Sequence, residues 1–281
     1  MITPKQSLIF LCLFFLPSLS FAEFQSNDEI AIQLIAASKD YPIQQRIKTQ
    51  SGVLLNTPYL AGALGEGVSG KYDQNPLYRF DYFDCETYVD TVMALVLAKN
   101  LTDFRSKINQ IRYKQANVNF TQRNHFPSAD WIPNNKKNGF IRELTYYLTA
   151  DRIQIAYLTP QEKESRLTQL KSEGETLYFS KKVSIAYIPV FELLRNPKLR
   201  QKIPSGSLIF FVGHDTYLTS RIGTPMNVLH MGFAIWNKGQ LYCRMASSKA
   251  KRVLDVRFQD YLKTYLPLGT LDGISVWAIQ A

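Results

Sequence analysis

FDCETYVDTVMALVLAK, residues 83–99, carries the clearest helical pattern of the sequence. Its apolar side chains recur at spacings of three and four residues, as they do on one face of a helix. That face contains Tyr88, Val89, Val92, Met93, Val96 and Leu97. Asp84 stands at the N-cap position, where a carboxylate can accept from the first free backbone N–H groups. The pattern predicts a helix over residues 84–99, with Cys85 in its first turn.

Strands are predicted in the C-terminal part of the chain. Their apolar runs lie at residues 208–212, 228–236, 241–247 and 274–279, and Asn237-Lys238-Gly239 is typical of a hairpin turn. One further helix is expected around residues 258–265. Helices first and antiparallel strands later predict an α+β fold.

The remaining segments are predicted from weaker patterns. Residues 24–70 carry helical periodicity followed by a glycine-rich patch, and residues 189–199 suggest a short helix. We expect a long loop over the polar residues 117–139 and a charged helical insertion over residues 160–182.

Composition restricts the class of protein. The chain has 281 residues, of which 46% are hydrophobic and 20% charged, which excludes a disordered or collagen-like chain. Its 33 basic residues against 23 acidic ones give a formal charge of +10. This charge favours anionic surroundings, either a polymer, a membrane face or nucleic acid.

Residues 1–22 have the pattern of a secretory signal peptide. Lys5 precedes an apolar run that is too short to span a bilayer, and Ser20-x-Ala22 supplies the small residues of a cleavage site. The alternative is an uncleaved anchor. Cys12 follows Leu11 rather than a small residue, so we expect no lipid anchor, and no later apolar run is long enough to form a membrane span.

Cys85 is the first candidate for chemistry. A thiol in the first turn of a helix is expected to be more acidic than a free one, although Glu86 opposes this effect. A nucleophile also needs a base. Since the protein is predicted to be exported, a structural disulfide between Cys85 and Cys243 remains an alternative.

His230 is the candidate base. Alternation along its strand puts His230, Gly232 and Ala234 on one face, which is lined by small side chains that a helix end could approach. The alternative is a core histidine bound to a backbone carbonyl.

Six short motifs resemble those of a known family. They are Phe83-Asp84-Cys85-Glu86-Thr87-Tyr88-Val89-Asp90, Ile111-Arg112-Tyr113, Arg123-x-His125 with Asp130-Trp131-Ile132, Tyr187-Ile188-Pro189, Leu229-His230-Met231-Gly232-Phe233-Ala234, and Ala246-Ser247-Ser248. Their order over roughly residues 75–280 is similar to the N-acetylmuramoyl-L-alanine amidase-like family, a branch of the NlpC-type, papain-like cell-wall cysteine hydrolases.

The resemblance implies a papain-like α+β fold, with the nucleophile helix packed on an antiparallel sheet. A single catalytic domain would span residues 23–281, with a helical lead-in over 23–75 and the amidase region over 76–281. The implied activity is periplasmic hydrolysis of the amide bond between N-acetylmuramic acid and L-alanine, in peptidoglycan or muropeptides. Neither a metal nor another cofactor is expected.

The resemblance also implies the catalytic residues. Cys85 would be the nucleophile and His230 the base. The relatives usually have a histidine before Ala-Ser-Ser that orients the catalytic imidazole, but Met245 stands there in this chain. If Asn237 faces residue 240 across the turn, Ser247 faces His230, and Ser247 or a water could replace the missing histidine; a slip of one residue would bring Arg244 to that face.

A substrate wall is implied by the resemblance as well. It would contain Arg123, His125, Asp130 and Trp131, with Arg123 facing a carboxylate of the stem peptide. The alternative is a loop clamp in which Asp130 pairs with Arg123 and Trp131 packs into the core.

Other functions remain open. A peptidase of the same fold would cut within the stem peptide, and a non-catalytic binder of cell-wall fragments would have Cys85 and Cys243 bridged. A zinc hydrolase using His125, His214 and His230 lacks a recognised ligand spacing. Predicted export and scattered basic residues disfavour a nucleic-acid partner.

Overall fold

A computed structural model of the chain describes residues 25–159, 161–163, 177–179, 181–222 and 225–280. The predicted signal peptide, residues 1–22, lies outside the described residues. So does the middle of the predicted insertion, residues 164–176. Among the described residues no helix has the length and apolar character needed to cross a membrane.

Helices form the N-terminal half of the described chain and the connections of the other half. They are α1 (Asn27–Ser38), α2 (Ile43–Val53), α3 (Cys85–Leu97), α4 (Leu101–Arg112), α5 (Ile132–Lys137), α6 (Thr145–Leu148), α7 (Val190–Arg195), α8 (Pro197–Gln201), α9 (Thr216–Ile222) and α10 (Phe258–Lys263).

The strands are antiparallel in every pairing described. They are β1 (Ile141–Glu143), β2 (Gln154–Leu158), β3 (Gln161–Lys163), β4 (Leu177–Phe179), β5 (Val183–Pro189), β6 (Ser207–Gly213), β7 (Val228–Asn237), β8 (Gln240–Ser247), β9 (Arg252–Arg257) and β10 (Leu271–Ile279). The main sheet has the order β2-β5-β10-β6-β7-β8-β9, with β1 also on β10, while β3 and β4 pair separately. The α+β class with an antiparallel sheet is thus confirmed.

The helix predicted over residues 84–99 is confirmed as α3, and it is more deeply buried than its pattern suggested. Every residue from Thr87 to Leu97 is buried, because α1, α2, α4 and the sheet surround the helix. The ring of Tyr88 contacts that of Phe233 on β7, with centroids 5.9 Å apart. Met231, Phe233 and Ile235 lie in the same apolar cluster as α3.

The body of α3 packs on one face of β7. The sequence interpretation allowed a helix end to approach the face of small side chains that carries His230, and the body of α3 packs on the opposite face. The physical reason is that Met231, Phe233 and Ile235 offer the apolar area that a fully buried helix needs. Only the first residue of α3 approaches the neighbourhood of His230.

Two segment predictions were wrong in part. Residues 117–139 are largely helical rather than a loop, with a π-helical turn at Pro127–Trp131 that runs into α5. The ends of the predicted helical insertion are strands, β3 and β4. The helical part of residues 117–139 is held against α4, because the side-chain amides of Asn134 and Asn135 donate to backbone oxygens of that helix. Strands β3 and β4 pair with each other.

The β7–β8 hairpin has the register expected from its turn. Asn237 pairs with Gln240 and Phe233 with Arg244. Between β6 and β7 the register shifts, since Phe211 pairs with His230 but Val212 pairs with Val228. The extra residue, Leu229, forms a bulge directly before His230, and such bulges re-aim the neighbouring side chains.

Candidate active site

Cys85 is the first residue of α3, directly after a well-formed cap. The Asp84 carboxylate accepts hydrogen bonds from the backbone N–H and the hydroxyl of Thr87, both at 2.8 Å. It also accepts from the backbone N–H of Gly62 at 2.9 Å. The cap therefore fixes the start of the helix and ties it to the loop that follows α2.

The thiol of Cys85 is less acidic than its position in the helix suggests. Burial raises its pKa, and the carboxylates of Asp84 and Glu86 raise it further. The backbone N–H groups of Met231 and Glu86 lower it in part. The expected low pKa is thus corrected, because loss of hydration penalises a thiolate more than the helix end stabilises it. Cys85 rests as a neutral thiol.

His230 lies beside aromatic rings and a thioether. Its ring centroid is 5.6 Å from that of Phe211 and 6.2 Å from that of Tyr261. The imidazole Nε2 lies 2.9 Å from Sδ of Met245. Burial lowers the pKa of His230 to about 4, so the imidazole is neutral at neutral pH and can accept a proton.

Cys85 contacts β7 at the residue next to His230, but the side chains of Cys85 and His230 do not hydrogen-bond to each other. The backbone N–H of Met231, the residue after His230, donates to the Cys85 sulfur. Between the side chains of Cys85 and His230, both described, no hydrogen bond forms. The Cys85 sulfur therefore lies next to the residue that follows His230 on β7.

A comparison with protein families shows which family the chain belongs to. The model of the family described as N-acetylmuramoyl-L-alanine amidase-like matches residues 49–269. The chain belongs to this family. No curated protein matches the chain.

Solved structures share the amidase-like fold. A Legionella pneumophila protein, described only by the domain of unknown function DUF1460, is 32% identical with a TM-score of 0.79, and the match covers 90% of this chain and 94% of that one. An N-acetylmuramoyl-L-alanine amidase from Bacteroides uniformis is 22% identical with a TM-score of 0.64, covering 85% and 99%. A Bacteroides fragilis protein provisionally named a xylanase is 23% identical with a TM-score of 0.60, covering 82% and 99%. The two Bacteroides likenesses show the fold.

Arg123 of this family member is held by carboxylates of its own chain. Its guanidinium donates to Glu66 at 2.6 Å and to Asp73 at 2.9 Å, and it lies over the ring of Phe120. The alternative in which Arg123 clamps a loop by an ion pair is therefore confirmed, but its predicted partner is wrong, since Arg123 pairs with Glu66 and Asp73 and not with Asp130. A guanidinium balanced by two carboxylates is poorly suited to bind a third one from a substrate.

Asp130 holds the segment that carries His125. Its carboxylate accepts from the backbone N–H of His125 at 3.1 Å and lies 3.5 Å from Nζ of Lys114. Nε2 of His125 lies 2.7 Å from the backbone oxygen of Phe120. Burial raises the pKa of Asp130, and Lys114 opposes that rise. Asp130 thus stabilises the backbone of the segment that is predicted to form the substrate wall.

Trp131 is a core residue, which corrects its predicted place on the substrate wall. Its side chain is fully buried, packs on Phe210 and donates its indole N–H to Asp90 at 2.8 Å. A side chain without exposed surface cannot touch a substrate. The alternative in which Trp131 packs down is the correct one.

Asp90 and Arg112 form a buried pair that the sequence interpretation missed. Their Nε and Oδ2 atoms lie 3.6 Å apart, and Arg112 also donates to the backbone oxygens of Leu64 and Gly65. Burial raises the pKa of Asp90 above its ordinary value, while Arg112 and the indole N–H of Trp131 act against the rise. The sequence contained a sign of this pair, because Asp90 is a carboxylate within an otherwise apolar helical run, and a buried carboxylate needs a partner.

A cavity of about 130 Å³ opens beside the start of α3. Its lining includes Asp84, Glu86, Arg123 and His125. The structure thus brings Arg123 and His125 next to the residues that flank Cys85, whereas Trp131 lies elsewhere. Their contact with a substrate stays a prediction.

The side chain that contacts the His230 imidazole through Nε2 is that of Met245 and not that of Ser247. The Ser247 hydroxyl oxygen accepts from the backbone N–H of Ala250 at 3.1 Å. Gly232 makes room for the methionine, because a Cβ at that position would lie 3.0 Å from Cβ of Met245. Whether Ser247 contributes to catalysis stays a prediction.

Cys85 and Cys243 are both free thiols, so the disulfide required by the binding-protein alternative is absent from the described structure. Cys243 is fully buried on β8, 3.7 Å from Sδ of Met245. No group of three His, Cys, Asp or Glu side chains able to hold a metal ion occurs within the described residues. Nδ1 of His214 lies 3.6 Å from Oδ1 of Asp272. Neither His125 nor His230 takes part in this contact.

Proposed function

We propose that this protein is a papain-like cysteine amidase. It hydrolyses the bond between the lactyl group of N-acetylmuramic acid and L-alanine, in peptidoglycan or muropeptides. Cys85 is the nucleophile and His230 the general base. The membership in the amidase-like family supports the substrate class.

One observation carries the proposal. Cys85 opens a capped, buried helix, and its sulfur lies against the backbone N–H of the residue that follows His230. A thiol and a neutral imidazole on two rigid elements are the pair that acyl transfer needs. Both elements are fixed by packing, and in the proposed mechanism rotation of the two side chains closes the gap between them.

The neutral state of both groups determines the order of events. His230 takes the thiol proton as the sulfur attacks the lactyl carbonyl, and a thioester forms while the imidazolium delivers the proton to the departing alanine nitrogen. Water, deprotonated by His230, then releases the muramic acid carboxylate. The backbone N–H of Cys85 has no intrahelical acceptor and can donate to the oxyanion.

The proposed place of action is the periplasm. The predicted signal peptide, residues 1–22, supports export across the inner membrane. The formal charge of +10 suits a cell wall whose stem peptides carry carboxylates.

The test uses a defined N-acetylmuramoyl peptide and three proteins: wild type, Cys85→Ala and Cys243→Ala. Cys243→Ala is the matched control, because it removes a buried thiol outside the proposed pair. Mass spectrometry of the products should show N-acetylmuramic acid and a stem peptide with a free alanine amine for the wild type and Cys243→Ala only. Turnover by Cys85→Ala would refute the nucleophile.

Two other results would redirect the proposal. Cleavage between two amino acids of the stem would identify a peptidase of the same fold. Binding without turnover by the wild type would identify a non-catalytic receptor for wall fragments.

A further inference from the structure

A second cleft lies between α6 with the residues after it and α8. Its volume is about 440 Å³, and it is lined by residues 146–152 with Asn196, Lys198, Leu199 and Lys202. Buried Leu148 and Leu199 anchor its walls in the core. None of these residues lines the cavity beside Cys85. We call it the tyrosine–lysine cleft.

Two adjacent aromatic rings are presented at this cleft. Tyr146 is 51% exposed and Tyr147 is 77% exposed. The guanidinium of Arg142 lies over the Tyr147 ring, 5.6 Å from its centroid, and so leaves the other ring face available. Tyrosine rings offer a flat apolar surface with little conformational entropy to lose, which suits them to binding.

The cleft also carries positive charge that the described structure does not balance. Arg152 is paired with Asp151 and Glu192. Lys198 and Lys202 have no carboxylate partner among the described residues, and Nζ of Lys202 donates only to the backbone oxygen of Leu148, at 3.4 Å. An anion entering the cleft would therefore meet two ammonium groups.

We propose that the tyrosine–lysine cleft is a non-catalytic site for polymeric peptidoglycan. A pyranose ring has a face of C–H bonds that packs on an aromatic ring, and the stem-peptide carboxylates pair with the two lysines. The volume lies within the range of about 300–1,000 Å³ typical of ligand sites. The choice of peptidoglycan over another polyanion rests on the proposed function.

Such a site would keep the enzyme on the polymer between cleavage events. Two tethered sites raise the effective concentration of substrate at the catalytic one without a new catalytic contact. The cleft should therefore affect the processing of insoluble sacculi and leave the turnover of small soluble muropeptides unchanged.

The experiment measures co-sedimentation with purified sacculi in a Cys85→Ala background, so that binding is read without turnover. Tyr147→Ala and Lys198→Glu should each weaken binding about tenfold. Tyr157→Ala and Lys39→Glu are matched controls, since Tyr157 is another exposed tyrosine, 59% accessible, and Lys39 an exposed lysine at the end of α1. Melting temperatures establish that all variants are folded.

The outcomes separate the inference from the proposed function. Weakened binding in the two cleft variants alone, with unchanged turnover of a soluble muropeptide by the same substitutions in the active enzyme, supports it. An equal loss of sacculus binding in Lys39→Glu would show that the effect comes from the net charge of the protein and would overturn the proposed site. Unchanged sedimentation of the cleft variants would overturn it too, and so would tighter binding of duplex DNA or heparin than of sacculi at that cleft.

Discussion

The Nε2 atom of His230 lies 2.9 Å from the thioether sulfur of Met245. A thioether can only accept a hydrogen bond. The compatible tautomer of His230 therefore carries its proton on Nε2 and leaves the lone pair on Nδ1. Met245 thus favours the tautomer that a general base needs, although a sulfur acceptor does so weakly.

Two substitutions of Met245 should have opposite effects on kcat. Met245→Leu keeps the volume but removes the acceptor, and we expect kcat to fall by roughly two- to fivefold, which corresponds to a weak hydrogen bond of about 0.5–1 kcal/mol. Met245→Gln supplies a carbonyl acceptor and should raise kcat. Steady-state kinetics on a soluble muropeptide measure both.

Two variants control for that result. Met93→Leu makes the same exchange in the buried part of α3 and should leave kcat unchanged. Ser247→Ala tests the predicted alternative, and we expect little effect because the hydroxyl bonds to Ala250. A large loss in Ser247→Ala beside an unaffected Met245→Leu would reverse the assignment.

The parts of the fold that depend on local patterns were predictable from the sequence. The periodicity and Asp84 cap of α3 are properties of neighbouring residues, and so is the register of the hairpin around Asn237. Both follow from spacing alone.

The parts that depend on distant contacts were not predictable. Arg123 finds Glu66 and Asp73, which lie 57 and 50 residues earlier in the sequence. The face of β7 that packs on α3 was not predictable for the same reason, because alternation defines two faces but not the neighbour of each. The raised pKa of the Cys85 thiol reflects burial, which a helix position does not reveal.

The pH dependence of activity should reflect the low pKa of the partly buried His230 imidazole. Burial lowers the pKa of His230 to about 4 from its ordinary 6.5. The protonated form, which cannot act as a base, then predominates only below that pH, so the acid limb of kcat/KM should lie near pH 4. Initial rates from pH 3.5 to 8 measure it, with circular dichroism at each pH to show that the enzyme stays folded. A limb at pH 6 to 7 would mean that His230 is solvated in the working enzyme.

Trp131 should matter for stability and not for substrate binding. Trp131→Phe leaves the Asp90 carboxylate without its indole donor in the core, and we expect the free energy of unfolding to fall by about 1–3 kcal/mol. KM for a muropeptide should not change. Urea denaturation and steady-state kinetics provide the two readouts, and a higher KM at unchanged stability would restore Trp131 to the substrate wall.

Arg123 should act as a clamp on the loop that contains Glu66 and Asp73. Arg123→Gln leaves the Glu66 carboxylate, whose side chain is only 4% exposed, without its counter-charge. Removing one partner of a buried ion pair costs about 3–5 kcal/mol, whereas removing both charges together costs less. The double variant Glu66→Gln with Arg123→Gln should therefore be more stable than Arg123→Gln alone, as measured by urea denaturation in a double-mutant cycle. Additive losses, accompanied by a rise in KM for Arg123→Gln only, would instead show that the guanidinium binds a substrate carboxylate.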